Sequence, residues 1–401
     1  MSIDYFEELL KKPTIFVDES KLDINFIPEK LPHREKELSL LSQLFLALIT
    51  KPNQISRKIL ITGRIGIGKT VTIKKFGNLL IEASKKRSIN IEYVHINCRK
   101  ERTSYKVLIK IIRVLKSNFP ERGYSPQDIL DIIKRSLDLK DTHLLIVLDE
   151  LSYLIQKEED LIYYLTRIND DDLTSKQRIS LIGIVRDVSE LKNLDNSTLS
   201  TLQKNIIKFS KYERRQIYDI LKYRAEISLK KNTISDEIIK MVAEIVYNSG
   251  DVRLGLNILW RAAKITENKD LGKISIESIR LANQETVPLL TQDFLIAMNK
   301  HKLLFLLSIA KTLKKMNIPR SPLGEIMQLY EVICESLKIK PRSYSQLWNF
   351  IKELKKDNLI SVKIKSKDIK GRKAFIGILE IPILELERKI INILKTKDII
   401  L

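Results

Sequence analysis

The chain has 401 residues, of which 44% are hydrophobic and 30% charged, with 12 Gly and 11 Pro. This composition excludes disordered, collagen-like and low-complexity chains, and the length suggests two to three domains. Lys and Arg number 71 against 50 Asp and Glu, a net charge of +21. A surplus of that size attracts polyanions, with nucleic acid first among them, although a lysine excess serving only solubility would look the same.

Two cysteines, Cys98 and Cys334, and four histidines argue against a disulfide framework and a His-rich metal site. The stretch Met1-Ser2-Ile3-Asp4-Tyr5-Phe6-Glu7-Glu8 places acids where a secretory signal needs basic residues. No apolar run approaches the roughly 18 residues that cross a bilayer. The expectation is a reduced, cytoplasmic (nucleoid-associated) protein with no membrane partner.

In chain order, residues 1–25 read as a loosely ordered lead-in. Strand-type runs at 59–62, 91–96, 144–148 and 180–185 then alternate with helical patterns, as in a parallel α/β sheet. The run Ile59-Leu60-Ile61-Thr62 leads directly into Gly63-Arg64-Ile65-Gly66-Ile67-Gly68-Lys69-Thr70, a complete G-x-x-x-x-G-K-[ST] P-loop, and helix-type sequence follows from Val71. Residues 63–71 would cradle the phosphates of ATP or ADP at a helix N-terminus, with Lys69 bridging the β- and γ-phosphates and Thr70 ligating Mg²⁺. The buried-type strand Leu144–Leu148 ends in Asp149-Glu150. Asp149 would hold the Mg²⁺ shell, and Glu150 would orient the attacking water.

The segment Phe26-Ile27-Pro28-Glu29-Lys30-Leu31-Pro32-His33-Arg34-Glu35, the P-loop, Ile96-Asn97-Cys98-Arg99, Leu148-Asp149-Glu150 and Gly250-Asp251-Val252-Arg253-Leu254 follow one another in an order and spacing that resembles archaeal replication initiators. These are AAA+ ATPases of the origin-recognition and cell-division-control family. The resemblance covers nearly the whole chain. It implies that residues 26–34, Pro32 and Arg34 among them, flank the adenine, and that Arg253 is a lid arginine touching the γ-phosphate. An arginine placed there gains its partner only when ATP is bound.

Two positions depart from the family pattern. Arg186, in Gly183-Ile184-Val185-Arg186-Asp187, stands where the family places a sensor Asn. Ser197, in Leu194-Asp195-Asn196-Ser197, stands where it places an arginine finger. Arginine fingers are worth factors of about 10³ to 10⁵ in rate. Their absence implies weak or partner-dependent hydrolysis with nucleotide binding retained.

The stretch 103–117 sorts into an apolar face (Val107, Leu108, Ile111, Ile112, Leu115) and a basic one (Lys106, Lys110, Arg113). The resemblance makes this an insertion that contacts the DNA backbone; a merely solvated face would show the same pattern. Residues 211–290 are helical throughout, which suits a lid.

From 295 onward, helices at 301–315, 321–337 and 343–357 precede strands at 359–365 and 374–381, the order of a winged helix. The third helix opens with a capping pair, Ser343 and Gln346. It has Tyr344, Leu347, Trp348, Ile351 and Leu354 as its expected buried stripe. Ser345, Gln346, Asn349, Lys352 and Lys356 face outward, residue types suited to base edges and phosphates. The hairpin tip carries Lys367, Lys370, Gly371, Arg372 and Lys373, with Arg372 the candidate for minor-groove insertion.

The expected architecture is therefore an α/β AAA+ P-loop domain (26–210), a helical lid (211–290) and a C-terminal winged-helix domain (295–401). The expected activity is binding of ATP and of double-stranded DNA in replication initiation, with slow or partner-dependent ATP hydrolysis. A related initiator chain and a replicative helicase are the further partners the resemblance implies. A sequence-specific transcriptional regulator on the same fold, and a signalling ATPase whose winged helix contacts protein, are the competing readings.

Overall fold

The computed structural model describes residues 6–7, 13–155, 158–168, 176–192, 194–286, 295–296, 298–316, 318–356, 359–366, 372–378 and 383–397. The chain divides into two compact units. One comprises residues 27–216 with Gly250–Val252, and the other holds the remaining described residues.

The first unit is built on five parallel strands, β1 (Lys58–Thr62), β2 (Ile91–Asn97), β3 (His143–Asp149), β4 (Ile179–Ile184) and β5 (Ile206–Lys208), in the order β2-β3-β4-β1-β5. Every residue of β3 and β4 is buried, which explains their unbroken apolar sequence: parallel strands covered on both faces have no solvated side to alternate toward. The helices include α1 (Glu35–Phe45), α2 (Lys69–Lys85), α3 (Ser104–Leu115), α4 (Pro126–Leu139), α5 (Glu159–Arg167) and α6 (Asn196–Gln203).

α4 begins at a capping box. The Ser125 hydroxyl accepts the Asp128 N–H at 3.1 Å, while the Asp128 carboxylate accepts the Ser125 N–H at 2.9 Å; Pro126 occupies the first helical position. α3 buries Val107, Leu108, Ile111, Ile112 and Leu115 as its periodicity requires. The four expected strands are present within a residue or two. β5, only three residues long, leaves no periodic signal to read.

In the second unit, α7 (Arg214–Ser228, whose first turn belongs to the first unit), α8 (Asp236–Ser249), α9 (Val252–Asn268, whose first residue belongs to the first unit) and α10 (Ile276–Thr286) form the helical segment. The winged helix follows as α11 (Lys300–Met316), β6 (Ser321–Pro322), α12 (Leu323–Ser336), α13 (Tyr344–Lys356), β7 (Ser361–Ser366), β8 (Arg372–Gly377) and α14 (Ile383–Thr396). β7 and β8 pair antiparallel, and β6 adds to the far edge of β8. α11 is apolar nearly all round, with Leu303 through Ala310 buried, so it lies at the centre of this core against α12 and α14.

The lead-in differs from expectation over residues 13–25. Val17 N–H donates to the Ser228 carbonyl at 2.8 Å, Lys230 N–H donates to the Ile15 carbonyl at 2.9 Å, and Phe16 pairs antiparallel with Leu229. Glu19 accepts from Trp260 Nε1 (2.7 Å) and Lys264 Nζ (2.6 Å), while Arg224 donates to the carbonyls of Lys21 and Asp23, both at 2.7 Å. The segment is thus strapped to the helices, through partners some 200 or more positions away in sequence that no local pattern reveals.

The second correction concerns Tyr344, which is 60% exposed instead of buried. It lies in the first turn of α13, beyond the edge of the core, and stacks on Trp348 with ring centroids 6.3 Å apart. Leu347, Ile351 and Leu354 are buried as expected, and Trp348 packs partly against the same core. Among the described residues no helix is long and apolar enough to cross a membrane.

Candidate nucleotide site and nucleic-acid interface

β1, which lies between β4 and β5, delivers the chain into the P-loop, and α2 departs from it at Lys69. Gly66 and Gly68 hold φ of +75° and +88°. A Cβ at Gly66 would stand 2.1 Å from Asp251 Oδ1, and one at Gly68 2.8 Å from the Tyr212 hydroxyl, so both positions demand glycine on conformation and on space. Val252 N–H donates to the Gly66 carbonyl at 3.2 Å, which ties the Gly250-Asp251-Val252 turn to the loop.

Lys69 Nζ donates to the carbonyls of Gly63 and Arg64, the latter at 2.7 Å, and so lies along the loop's inner side. Burial lowers its pKa against the opposing pull of Glu150 and Asp149, while Arg186 adds to the lowering. Arg64 and Ile65 are exposed, Ile67 is buried, and Val71 is half-buried in the first turn of α2.

Arg34 is buried beside the loop. Its Nη2 donates to the Ile67 carbonyl (2.8 Å) and the Ser210 carbonyl (3.0 Å), its Nη1 pairs with Glu37 (2.7 Å), and its guanidinium lies 4.0 Å from the centroid of the Tyr212 ring. It braces the loop from behind. Pro32, two residues before it, is half-buried.

The acidic end of β3 reaches the same place. Thr70 Oγ1 donates to Asp149 Oδ2 at 2.8 Å, and His95 Nε2 lies 3.1 Å from that same oxygen. The Tyr93 hydroxyl sits 2.9 Å from His95 Nδ1, completing a Tyr93–His95–Asp149 chain under the site. Desolvation opposes the Asp149 charge, but hydrogen bonds and charge from His95, with Thr70 and the Glu150 N–H, outweigh it and hold the carboxyl below the ordinary range. Cys98 is buried in this region and its thiol is pushed up to about 12, so the cysteine is inert packing.

His95 escaped the sequence reading because it sits on β2, and only the parallel register that sets His95 opposite Val147 and Asn97 opposite Asp149 brings it under the acid. Glu150 adopts φ +55°, with its Oε2 3.2 Å from Arg186 Nη2.

A triphosphate fits this cradle: positive-φ glycines open the loop, and one lysine lies along its inner side. Thr70 and Asp149, already within hydrogen-bond distance, are a donor pair that suits Mg²⁺, which takes few protein ligands and completes its shell with phosphate and water. Ser197 lies in the first turn of α6, where Asp195 accepts its N–H at 2.9 Å, so the position is a capped helix start that carries no cation. Arg253 is the second residue of α9 and belongs to the other compact unit.

On α3, Lys106 is exposed, Lys110 pairs with Glu101 (3.0 Å) and Arg113 with Glu121 (2.9 Å), so two of the three basic groups already hold acidic partners. On α13, Ser345, Gln346, Asn349 and Lys352 are exposed, and Lys356 ends the helix. Gln346 Oε1 accepts the Ser343 N–H at 3.2 Å. A polar groove beside this helix also takes in Lys300, His301 and Arg342, which the sequence reading did not single out. On β8, Arg372 stands opposite Ser366 and Lys373 opposite Lys365. Lys367, Lys370 and Gly371 lie outside the described residues.

The helical segment and the winged helix are joined within their unit. Buried Arg280 donates through Nε and Nη2 to the Ile378 carbonyl at 3.1 and 2.9 Å, and Glu244 pairs with Arg320 and with Lys363 (3.1 Å) on β7.

Three family models match the chain: an AAA domain over 56–187, a Cdc6 AAA+ ATPase-type lid domain over 218–284, and a CDC6 C-terminal winged helix domain over 294–387. ORC1-type DNA replication protein 2 of Sulfolobus acidocaldarius is 33% identical over 387 residues, 94% of this chain and 93% of that one. Its namesake in Sulfurisphaera tokodaii is 33% identical over 399 residues, 97% and 95% of the two chains. The structure of Cdc6p from Pyrobaculum aerophilum superposes with a TM-score of 0.84 at 30% identity, covering 96% of this chain and all of that one. The Aeropyrum pernix ORC1 protein, solved in complex with DNA, shares the fold at a TM-score of 0.63 and 24% identity, covering 95% and 98%. With its P-loop, lid and winged helix all matched and its curated relatives aligned nearly end to end, the chain belongs to the Cdc6/ORC family of AAA+ DNA replication proteins.

Proposed function

We propose that this protein is an ATP-gated, double-stranded-DNA-binding replication initiator whose hydrolysis is slow or depends on a partner. The observation that carries the reading is the Thr70–Asp149 contact at 2.8 Å, a hydroxyl and a carboxylate side by side next to a complete P-loop, a pair suited to Mg²⁺, in a chain that also carries a winged helix.

In this reading the backbone N–H groups of residues 63–71 bind the phosphates, Lys69 leaves the loop carbonyls for the β- and γ-phosphates, and Arg34 keeps the loop in shape with Pro32 near the base. Mg²⁺, held through Thr70 and Asp149, supplies neutralisation of the charge on the transferring phosphoryl group. Tyr93 and His95 fix the orientation of Asp149. Glu150 orients the attacking water. Arg253 contacts the γ-phosphate, so lid angle depends on whether that group is present. Because Arg280 and Glu244 bond the lid to the winged helix, lid movement carries α13 and the wing with it.

DNA is gripped through Gln346 and Asn349 at base edges and through Ser345, Lys352, Lys356, Lys367, Lys370, Arg372 and Lys373 at phosphates and groove. Gly371 belongs to the same proposed contact, and Lys106, with Lys110 and Arg113, adds contacts to the DNA backbone. The Aeropyrum pernix relative's complex with DNA and the replication proteins at 33% identity support this reading. A related chain that supplies an arginine in trans fits the missing cation at Ser197, and a replicative helicase is the further partner of this reading.

Arg186 and Ser197 favour a second reading, a transcriptional regulator on the same scaffold, because a regulator needs binding without turnover. The experiment is equilibrium binding of duplex DNA across a salt series, with ATP and with ADP. The expected result is salt-dependent binding stronger with ATP. A dissociation constant above roughly 10⁻⁴ M at moderate salt, weaker than ordinary non-specific binding, would instead mark the winged helix as a protein-contact module.

A further inference from the structure

Glu150 is already engaged. β3 ends at Asp149, and Glu150 turns through a left-handed conformation while its N–H donates to Asp149 Oδ1 at 2.9 Å. Leu151 N–H then donates to the Ile184 carbonyl at 3.0 Å, which carries the chain across onto the end of β4. Arg186 stands two residues beyond that strand with its backbone fixed on both sides. Its carbonyl accepts the N–H of Gly63, the first P-loop glycine, at 3.1 Å, and its own N–H donates to Glu190 Oε2 at 3.1 Å. Its Nη2 reaches Glu150 Oε2 at 3.2 Å, both side chains being about one-third exposed. Burial disfavours the Arg186 charge, but Glu150, together with Tyr153 and Glu190, outweighs it and raises its pKa.

We propose that Arg186 is a positioning residue that restrains ATP hydrolysis by occupying the Glu150 carboxylate, so that the ATP-bound state is long-lived by construction of the chain itself. This rests on the reading of Glu150 given above. In hydrolysis the water oxygen bonds to the γ-phosphorus as the bond from that phosphorus to the bridging oxygen breaks, with the electron pair leaving on ADP and the water's proton passing to the phosphate or solvent. A carboxylate that orients the water must offer it an oxygen. The guanidinium takes Oε2 and draws the charge of the group toward itself. The restraint is moderate because the pair has a single contact and not a bidentate fork, and Arg186 Nε is buried with no acceptor among the described residues.

The test uses the full chain, with phosphate release read beside ATP and ADP affinity from displacement of a fluorescent nucleotide analogue. Arg186→Asn should raise kcat about fivefold, the value of a partly exposed ion pair, while Arg186→Lys, which keeps the charge, stays near wild type. In a Glu150→Gln background, Arg186→Asn should add nothing. The ATP-to-ADP affinity ratio should stay within about twofold of wild type.

An unchanged or slower Arg186→Asn protein overturns the proposal, because a merely structural arginine would only lose activity. A selective drop of about tenfold in ATP affinity also overturns it, by making Arg186 a γ-phosphate ligand. If the wild-type chain binds no ATP, the reading of the whole site falls and the restraint with it. If wild type binds and Arg186→Asn is no faster, the restraint alone falls.

Discussion

Gly77 lies inside α2, buried, and a Cβ built there would stand 2.5 to 2.8 Å from three atoms of the Tyr93 ring. Helix propensity alone makes Gly77→Ala stabilising by roughly 0.5–1 kcal/mol. Overpacking a filled site costs roughly 1–3 kcal/mol, so the two together leave a net loss of about 0–2.5 kcal/mol, centred on roughly 1 kcal/mol. The ring cannot swing away freely, because its hydroxyl is 2.9 Å from His95 Nδ1 and His95 holds Asp149; displacement should therefore also weaken nucleotide binding.

Both tryptophans, Trp260 and Trp348, belong to the other compact unit, so tryptophan fluorescence would miss the event. Hydrogen exchange of α2 and β2 amides reads it directly, with protection expected to fall. A calorimetric midpoint should drop by a few degrees, at about 2–4 °C per kcal/mol for a unit of this size. In a Tyr93→Ala background the same substitution should become stabilising, since the obstruction is gone. Greater protection in the single Gly77→Ala protein would refute the close approach of helix and ring.

Lys69→Ala should abolish ATP and ADP binding or nearly so, measured by displacement of a fluorescent nucleotide; unchanged affinity would contradict the phosphate role of the loop. His143 is buried on β3 with Nε2 2.9 Å from Ser180 Oγ, and burial, with Arg178 nearby, lowers its pKa from 6.5 to about 4. The unfolded chain therefore binds the extra proton first as pH falls from 6.5 toward 4, and stability should decline over that window by at most about 1.4 kcal/mol per pH unit. His143→Gln should flatten the decline in denaturation series at several pH values, and an identical slope would rule the assignment out. Arg372→Ala should weaken duplex binding and reduce the salt slope by about one unit, read by fluorescence anisotropy at several salt concentrations. An unchanged slope would move the phosphate contact elsewhere on the wing.

What was legible in the sequence was local. The P-loop declares itself in eight consecutive residues, and β3 in an apolar run closed by two acids, so the sheet and its nucleotide mouth could be placed from pattern alone. The alternation of apolar and basic positions on α3 likewise translated directly into buried and exposed faces. His95 was not legible, because its partner is set by strand register and not by spacing. The strap over 13–25 was not, since a short irregular segment carries no sign of helices more than 200 residues away. Periodicity placed Tyr344 in the buried stripe, but a helix's first turn can run past the core it packs against. Lys110 and Arg113 show the converse limit: a basic face can be read from sequence, while the acids that neutralise part of it come from other segments.

Genome-wide occupancy of the tagged protein in its own cells, with Lys69→Ala alongside, separates an initiator from a regulator. An initiator should occupy one or a few loci where replication starts, with that occupancy lost or redistributed in the Lys69→Ala cells. Many promoter-proximal sites sharing a short motif, with replication starts unoccupied, would contradict that reading and make the protein a regulator.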